Sequence, residues 1–310
     1  MGFGCCWRAC PRPHDKILMK CIRLVWPSIQ RRIQANASRL LILDFDGTLV
    51  YIRKHPESVV LGRKVMEALV TLSQSPVYKV AIVSGRSLAD LKKYFNSSNV
   101  PSQRIHRNSL AHPDCRNISA RKSNTISGLK FNNIVLVGNH GLELRATKLS
   151  LPQRAKKARK LEALIWLLGK KLKKGLSRVP GVMIEDKNYT LSLHYRNISK
   201  EHLPFFNQEI VRFKKRYAHW PLVWRAGKKV WEVRPGVQWD KGDMALLLAK
   251  KFPKALPIVI GDDLTDEDMF RAIKNRGLTI RVRQSHKSAA SYYLESPVEV
   301  RKFLEKLCQL

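Results

Sequence analysis

The chain has 310 residues, 44% of them hydrophobic, and a formal net charge of +34. That length and apolar content allow a full-sized core, in one large or two ordinary domains. The charge attracts polyanions, but the basic residues are spread along the whole chain without an aromatic-interleaved RNA motif, zinc-finger spacing or basic-region heptads, so non-specific polyanion binding is expected and specific nucleic-acid recognition is not.

Residues 1–38 are rich in Arg, Lys and Cys, with Asp15 the sole acid, and read as a basic, flexible extension. The clean amphipathic, Ser-rich pattern of a transit peptide is missing. Position 6 is Cys, where an N-myristoylation signal wants Ser or Thr. The six cysteines, at 5, 6, 10, 21, 115 and 308, lack paired metal-binding spacing. They read as free thiols of a reducing compartment. The cytoplasm is the expected location, with organellar import as the alternative. No apolar run is long enough to span a bilayer. The pattern leaves the oligomeric state open.

Apolar runs then recur, each closed by polar residues: Leu40–Leu43, Val80–Val83, Ile134–Val137 and Pro257–Ile260. Helical patterns over Gly62–Gln74 and Ser87–Phe95 lie between them. This alternation predicts an α/β fold, a Rossmann-like doubly wound parallel sheet with helices on both faces. Residues 96–133 lack periodicity and read as a surface insertion. From 148 to 234 the pattern changes. A basic helix over Gln153–Lys174 is followed by strands at Val182–Ile184 and Tyr189–Tyr195, joined by a turn at Asp186–Asn188. A helix over Leu203–Tyr217 and a second hairpin, Val223–Ala226 with Lys229–Val233, complete an inserted α+β cap domain. The catalytic core is thus expected in 39–147 and 235–310.

The most informative stretch is Asp44-Phe45-Asp46-Gly47-Thr48-Leu49. Residues i and i+2 of an extended backbone share a side, so Asp44 and Asp46 address one small volume at the end of the sheet. Open α/β sheets bind ligands there. Two neighbouring carboxylates repel unless a cation or a shared proton relieves them, which implies a hard cation such as Mg2+. Phosphoryl transfer to a carboxylate needs a nucleophile, a metal, an acid/base and positive charge. Asp44 is the candidate nucleophile and Asp46 the acid and base. Ser84 is a candidate phosphate-oxygen donor, and Lys241, in Trp239-Asp240-Lys241-Gly242, a fixed cation. Asp262 would complete the metal site with Asp44 and the Asp46 carbonyl, supported by Asp263 and Asp266. Taken alone, Gly261-Asp262-Asp263-Leu264-Thr265-Asp266-Glu267 reads equally as the acidic first turn of a helix.

The order of these motifs resembles haloacid dehalogenase-like phosphatases with a cap between the second and third motifs. Within them the chain resembles trehalose-6-phosphate phosphatases, over about residues 40–305. The narrowing segments are Gly138-Asn139-His140-Gly141, His194-Tyr195-Arg196 and Glu232-Val233-Arg234-Pro235-Gly236. The resemblance implies Mg2+-dependent hydrolysis of trehalose 6-phosphate through an aspartyl-phosphate. It places Glu185, Lys187, Arg196 and Glu232 at the substrate, the cations suiting phosphate or sugar oxygens and the acids suiting glucose hydroxyls. Asn139 and His140 read either as sugar contacts or as a structural turn. The alternatives are the same fold acting on sucrose 6-phosphate or a glycosyl-phosphoglycerate, or a regulatory or binding protein without activity.

Overall fold

The computed structural model describes residues 19–53, 56–95, 131, 133–146, 149–227 and 229–310. The four aliphatic runs form adjacent strands: β2 (Ser38–Leu43), β3 (Tyr78–Val83), β4 (Ile134–Gly138) and β10 (Ala255–Gly261). With β1 (Lys20–Cys21), β5 (Glu143–Arg145), β11 (Leu278–Val282) and β12 (Tyr292–Leu294) they make an eight-stranded sheet in the order β1-β12-β11-β10-β2-β3-β4-β5. All its pairings are parallel except β4 with β5. Alternate residues of β2 face opposite layers. Leu41 and Leu43 join a core with Ile29, Leu69 and Leu304, while Leu40 and Ile42 join another with Met244, Phe270 and Ala155. Both faces are therefore covered, which is why these strands are apolar throughout rather than alternating.

The covering helices are α1 (Trp26–Gln34), α2 (Arg63–Gln74) and α9 (Pro297–Leu307) on one face, with α4 (Gln153–Arg159), α7 (Lys241–Lys251) and α8 (Asp266–Ile273) on the other. The helix α3 (Leu88–Tyr94) follows β3. A second sheet, order β6-β7-β9-β8, is antiparallel and built from β6 (Met183–Asp186), β7 (Leu191–His194), β8 (Leu222–Gly227) and β9 (Val230–Pro235). One of its faces, with Leu191, Leu193 and Val233, packs on α5 (Glu162–Gly175) and α6 (Leu203–Arg216) through Ile165, Leu172, Phe206 and Phe213. The other face carries Ser192 and His194 beside Glu232.

Three sequence expectations change. Residues 19–37, expected within a flexible extension, fold onto the large sheet. Ile29 and Ile33 lie one turn apart on α1 and are buried, while its arginines face outward; the overall basicity hid this i, i+4 apolar stripe. The single helix expected over 153–174 is broken at Lys160–Leu161. Ala155 packs under the large sheet and Ile165 under the small one, so the change of packing partner falls at that break rather than at 147–148. The carboxyl-terminal elements β11, β12 and α9 were not anticipated individually. Residues 1–18, and 96–130 and 132 of the expected insertion, lie outside the described residues. Cys21 and Cys308 are free thiols. Among the described residues no helix is long and apolar enough to cross a membrane.

Candidate active site

In-register pairing sets the site. Leu43 lies opposite both Ile260 and Ile82, so β2, β3 and β10 end side by side and deliver Asp44, Ser84 and Asp262 to one edge. The Asp44 backbone N–H still donates to the Ile260 carbonyl, at 2.9 Å. Beyond it the chain turns at Gly47, whose φ is +83° and whose missing side chain leaves room for the Asp262 carboxylate; a Cβ there would collide with it. Lys241 enters at the start of α7, where Asp240 caps the helix through the Gly242 and Asp243 N–H groups.

Lys241 is buried and its Nζ donates to Asp44 Oδ1 and Asp266 Oδ1, each at 2.7 Å. Burial alone would lower its pKa, but Asp266 and Asp44 outweigh burial and hold it charged. The other oxygen of Asp266 accepts from the Asp262 and Asp263 N–H groups at 2.8 and 3.0 Å. Both Asp266 oxygens are thus engaged, and its place is behind the ligand positions, orienting Lys241 and the Asp262 backbone. Oxygens of Asp44, Asp262 and Asp266 lie within 4.8 Å of one another. Burial and the repulsion of Asp266 push Asp44 well up, and push Asp262 up to about 7. A cluster of buried carboxylates that cannot comfortably ionise together, beside a cradle only glycine fits, suits a divalent cation.

Asp46 shares the cavity with Asp44, but its carboxylate sits in the fork of Arg86, with Nε at 2.7 Å and Nη2 at 2.8 Å. Arg86 also donates to Asp90 at 2.5 Å and lies over the Phe45 ring. Ser84 Oγ is buried and accepts from the Arg86 N–H at 3.1 Å, which leaves its own O–H to offer. Arg283 donates to Asp262 Oδ2 at 2.5 Å. Arg86 and Arg283 were missed in sequence, where one arginine among many carries no local signal.

A cavity of about 750 Å³ separates the two sheets, and Asp44, Asp46, Ser84, Glu185, Lys187, Arg196, Glu232 and Lys241 all line it. Glu185 accepts from His194 at 3.0 Å and lies 3.6 Å from Lys187 Nζ. Burial pushes Glu185 up, but His194 and Lys187 prevail and bring it below its ordinary value. Lys187 Nζ donates to the Gly85 carbonyl at 3.2 Å. His140 also lines the cavity. Its Nε2 accepts from Arg234 at 2.9 Å, and the same Arg234 nitrogen donates to Glu232. The same Nε2 lies 3.3 Å from Glu232 Oε1, and Nδ1 is a buried atom with no partner among the described residues. Burial and Arg234 push His140 down to about 4. Glu232 is held well below the usual range because the Arg234 and Lys187 cations beside it overcome its burial. His194 and Arg234 could have been found from the alternation of β7 and β9, whose polar positions oppose the helix-facing Leu191, Leu193 and Val233.

Asn139 departs from the expectation of a sugar contact. It is fully buried, and its amide is engaged by Glu143, Lys187 and Thr190. Of the two readings left open by its position, the structure favours the turn.

The trehalose-phosphatase family model matches residues 42–101 and 114–298. The chain belongs to the trehalose-phosphatase family. It is 28% identical over 287 residues to the trehalose 6-phosphate phosphatase RA3 of Zea mays, covering 86% of this chain and 69% of that one. An uncharacterized glycosyl hydrolase of Mycobacterium tuberculosis is 31% identical over 294 residues, with 90% of this chain covered. The chain spans only 19% of that relative's length. The trehalose-6-phosphate phosphatase C-terminal domain of C. albicans shares the fold, with a TM-score of 0.70, 22% identity, and coverage of 94% of this chain and 98% of that one. A divalent metal is a property of the family that the acidic trio fits.

Proposed function

We propose that this chain is a Mg2+-dependent phosphatase that hydrolyses trehalose 6-phosphate to trehalose and inorganic phosphate. The observation that carries the reading is the bridge Asp44–Lys241–Asp266 at the floor of a cavity whose opposite wall holds Glu185, Lys187 and Glu232. In this reading the small sheet with α5 and α6 is a cap over the core, and its polar face holds the sugar.

Asp44 attacks phosphorus, an aspartyl-phosphate forms, and the bond to the sugar oxygen breaks. Asp46 gives that oxygen its proton, for which its carboxyl turns out of the Arg86 fork. Water then attacks phosphorus and passes its proton to Asp46, releasing phosphate and Asp44. Lys241 and the Ser84 hydroxyl steady the phosphoryl oxygens. Bound Mg2+, held by Asp44, Asp262 and the Asp46 carbonyl, supplies further positive charge to those oxygens. Arg196 and Lys187 suit the anionic or hydroxyl groups of the substrate, and the cap excludes water from the site.

Phosphate release from trehalose 6-phosphate, beside glucose 6-phosphate and sucrose 6-phosphate, tests this. Selective turnover with Mg2+ is expected, reduced by about 10³-fold or more in Asp44→Asn. Preference for another sugar phosphate would keep the chemistry and refute the sugar assignment. Folded, metal-binding protein inactive on all three would refute the phosphatase itself.

A further inference from the structure

The turn after β4 is left-handed. Asn139, His140 and Gly141 have φ of 47°, 56° and 105° in a row, and Asn and His are among the side-chain residues that tolerate this region best. The surroundings hold the turn in place. Here the Asn139 N–H donates to the Arg86 carbonyl at 2.7 Å, and the His140 N–H to the Ser84 carbonyl at 2.9 Å. Trp239 Nε1 donates to the Gly141 carbonyl at 2.8 Å.

The left-handed backbone aims the Asn139 amide at the other sheet. Its Nδ2 donates to Glu143 Oε2 at 2.6 Å and to the Lys187 carbonyl at 2.8 Å. Its Oδ1 accepts from Thr190 Oγ1 at 2.7 Å. The amide orientation is unambiguous, because a flip would set its oxygen against a carboxylate and a carbonyl. Two of these three bonds grip opposite ends of the hairpin turn joining β6 to β7. The same turn carries Lys187, whose Nζ reaches the Gly85 carbonyl in the loop that bears Ser84. One buried amide therefore clamps the hairpin at the level where Lys187 enters the cavity.

We propose that Asn139 is a positioning residue: a socket that seats the β6–β7 hairpin on the core and so places Lys187 against the substrate. The kinetic consequence rests on the phosphatase reading above, while the seating does not. Losing Asn139 frees the hairpin and leaves Lys187 without a fixed station. Asp44, just after β2, is untouched by this change.

The test uses the full chain with Asn139→Ala, Lys187→Ala and their double mutant. Asn139→Ala is expected to raise KM for trehalose 6-phosphate about tenfold, more than it lowers kcat. Its loss on that substrate should exceed its loss on p-nitrophenyl phosphate, which lacks a sugar for the cap to hold. The double mutant should match Lys187→Ala alone. Thr190→Val, which keeps the amide bond to the Lys187 carbonyl, should shift KM in the same direction by less. Equal losses on both substrates, or additive effects with Lys187→Ala, would overturn the proposal. Amide hydrogen exchange at Lys187 and Tyr189, whose N–H groups bond within the hairpin, decides it without any substrate. Faster exchange in Asn139→Ala supports the socket, and unchanged exchange sinks it even if no sugar phosphate is turned over.

Discussion

His140 couples the stability of the molecule to pH. It is buried between the two sheets, and burial with the adjacent Arg234 pushes its pKa from 6.5 down to about 4. In the unfolded chain it takes a proton near 6.5; in the folded one it stays neutral until about 4. Between those values the unfolded state holds more protons, so stability falls as the pH falls. A drop from 6.5 to about 4, at about 1.4 kcal/mol per pH unit, is worth about 3 kcal/mol in full. About 2 kcal/mol of that is lost between pH 7.5 and 5. Above about pH 7.5 the residue contributes almost no slope.

Other groups titrate in the same range and must be subtracted. Glu232, held well below its ordinary value, adds a loss of stability only below about 4.5, where the unfolded carboxyl takes its proton. Asp262, pushed up to about 7 by burial and Asp266, acts with the opposite sign and gains stability as the pH falls. The readable quantity is therefore a difference. His140→Gln keeps an acceptor for Arg234 and cannot titrate. Urea unfolding of both proteins at pH 7.5 and 5 should show the wild type losing about 2 kcal/mol more than the variant. Equal losses would refute the buried, neutral histidine.

Three further outcomes follow from the carboxylate cluster. Lys241→Met removes the cation between Asp44 and Asp266 while roughly keeping its volume; turnover should collapse, and metal-free urea unfolding should show a loss of about 3 kcal/mol or more, whereas a gain would contradict the bridge. Gly47→Ala forces a side chain to φ +83° and against the Asp262 carboxylate; calorimetric titration with Mn2+ should find weaker binding, and unchanged affinity would refute the placement. Chelation should lower the melting temperature, and a divalent cation at 100 times its Kd should restore about 2.7 kcal/mol of stability; a melting curve indifferent to cations would mean that Asp44 and Asp262 bind none.

Much of the fold was legible because both faces of the large sheet are buried. A strand covered on both sides must be apolar throughout, so Leu40–Leu43, Val80–Val83, Ile134–Val137 and Pro257–Ile260 announce themselves. The polar residues directly after them fall at the ligand-binding edge of a parallel sheet. What stayed hidden has physical causes as well. Ile29 and Ile33 make α1 a core helix, yet its arginines dominate the local composition. Arg86 and Arg283 act on carboxylates 40 and 21 residues away in sequence, and such pairings leave no periodic trace. Asn139 stayed ambiguous because a polar residue at a strand end suits a ligand and a neighbouring hairpin equally. Only the positions of Lys187 and Thr190 distinguish them.

The two halves of the candidate site are held by different forces. Asp44, Ser84 and Asp262 are placed by backbone pairing of β2 with β10 and β3, inside a core of fully buried aliphatic residues. Moving any of them means breaking the ladder. Glu185, Lys187 and Glu232 reach the cavity from the smaller sheet, whose described polar contacts to the core include Asn139 with the hairpin, His140 with Arg234, the Gly85 carbonyl with Lys187, Arg159 with the Tyr189 hydroxyl at 2.8 Å and the Arg225–Asp268 pair at 3.8 Å. Such polar contacts cost little to open and re-form. In the reading proposed above, chemistry at the sheet edge stays rigid while the wall proposed to face the sugar moves, the division needed to exclude water during attack and release a disaccharide afterwards. Changes along β2 or β10 should impair every substrate alike, whereas changes at the contacts between the sheets should alter which substrate is preferred.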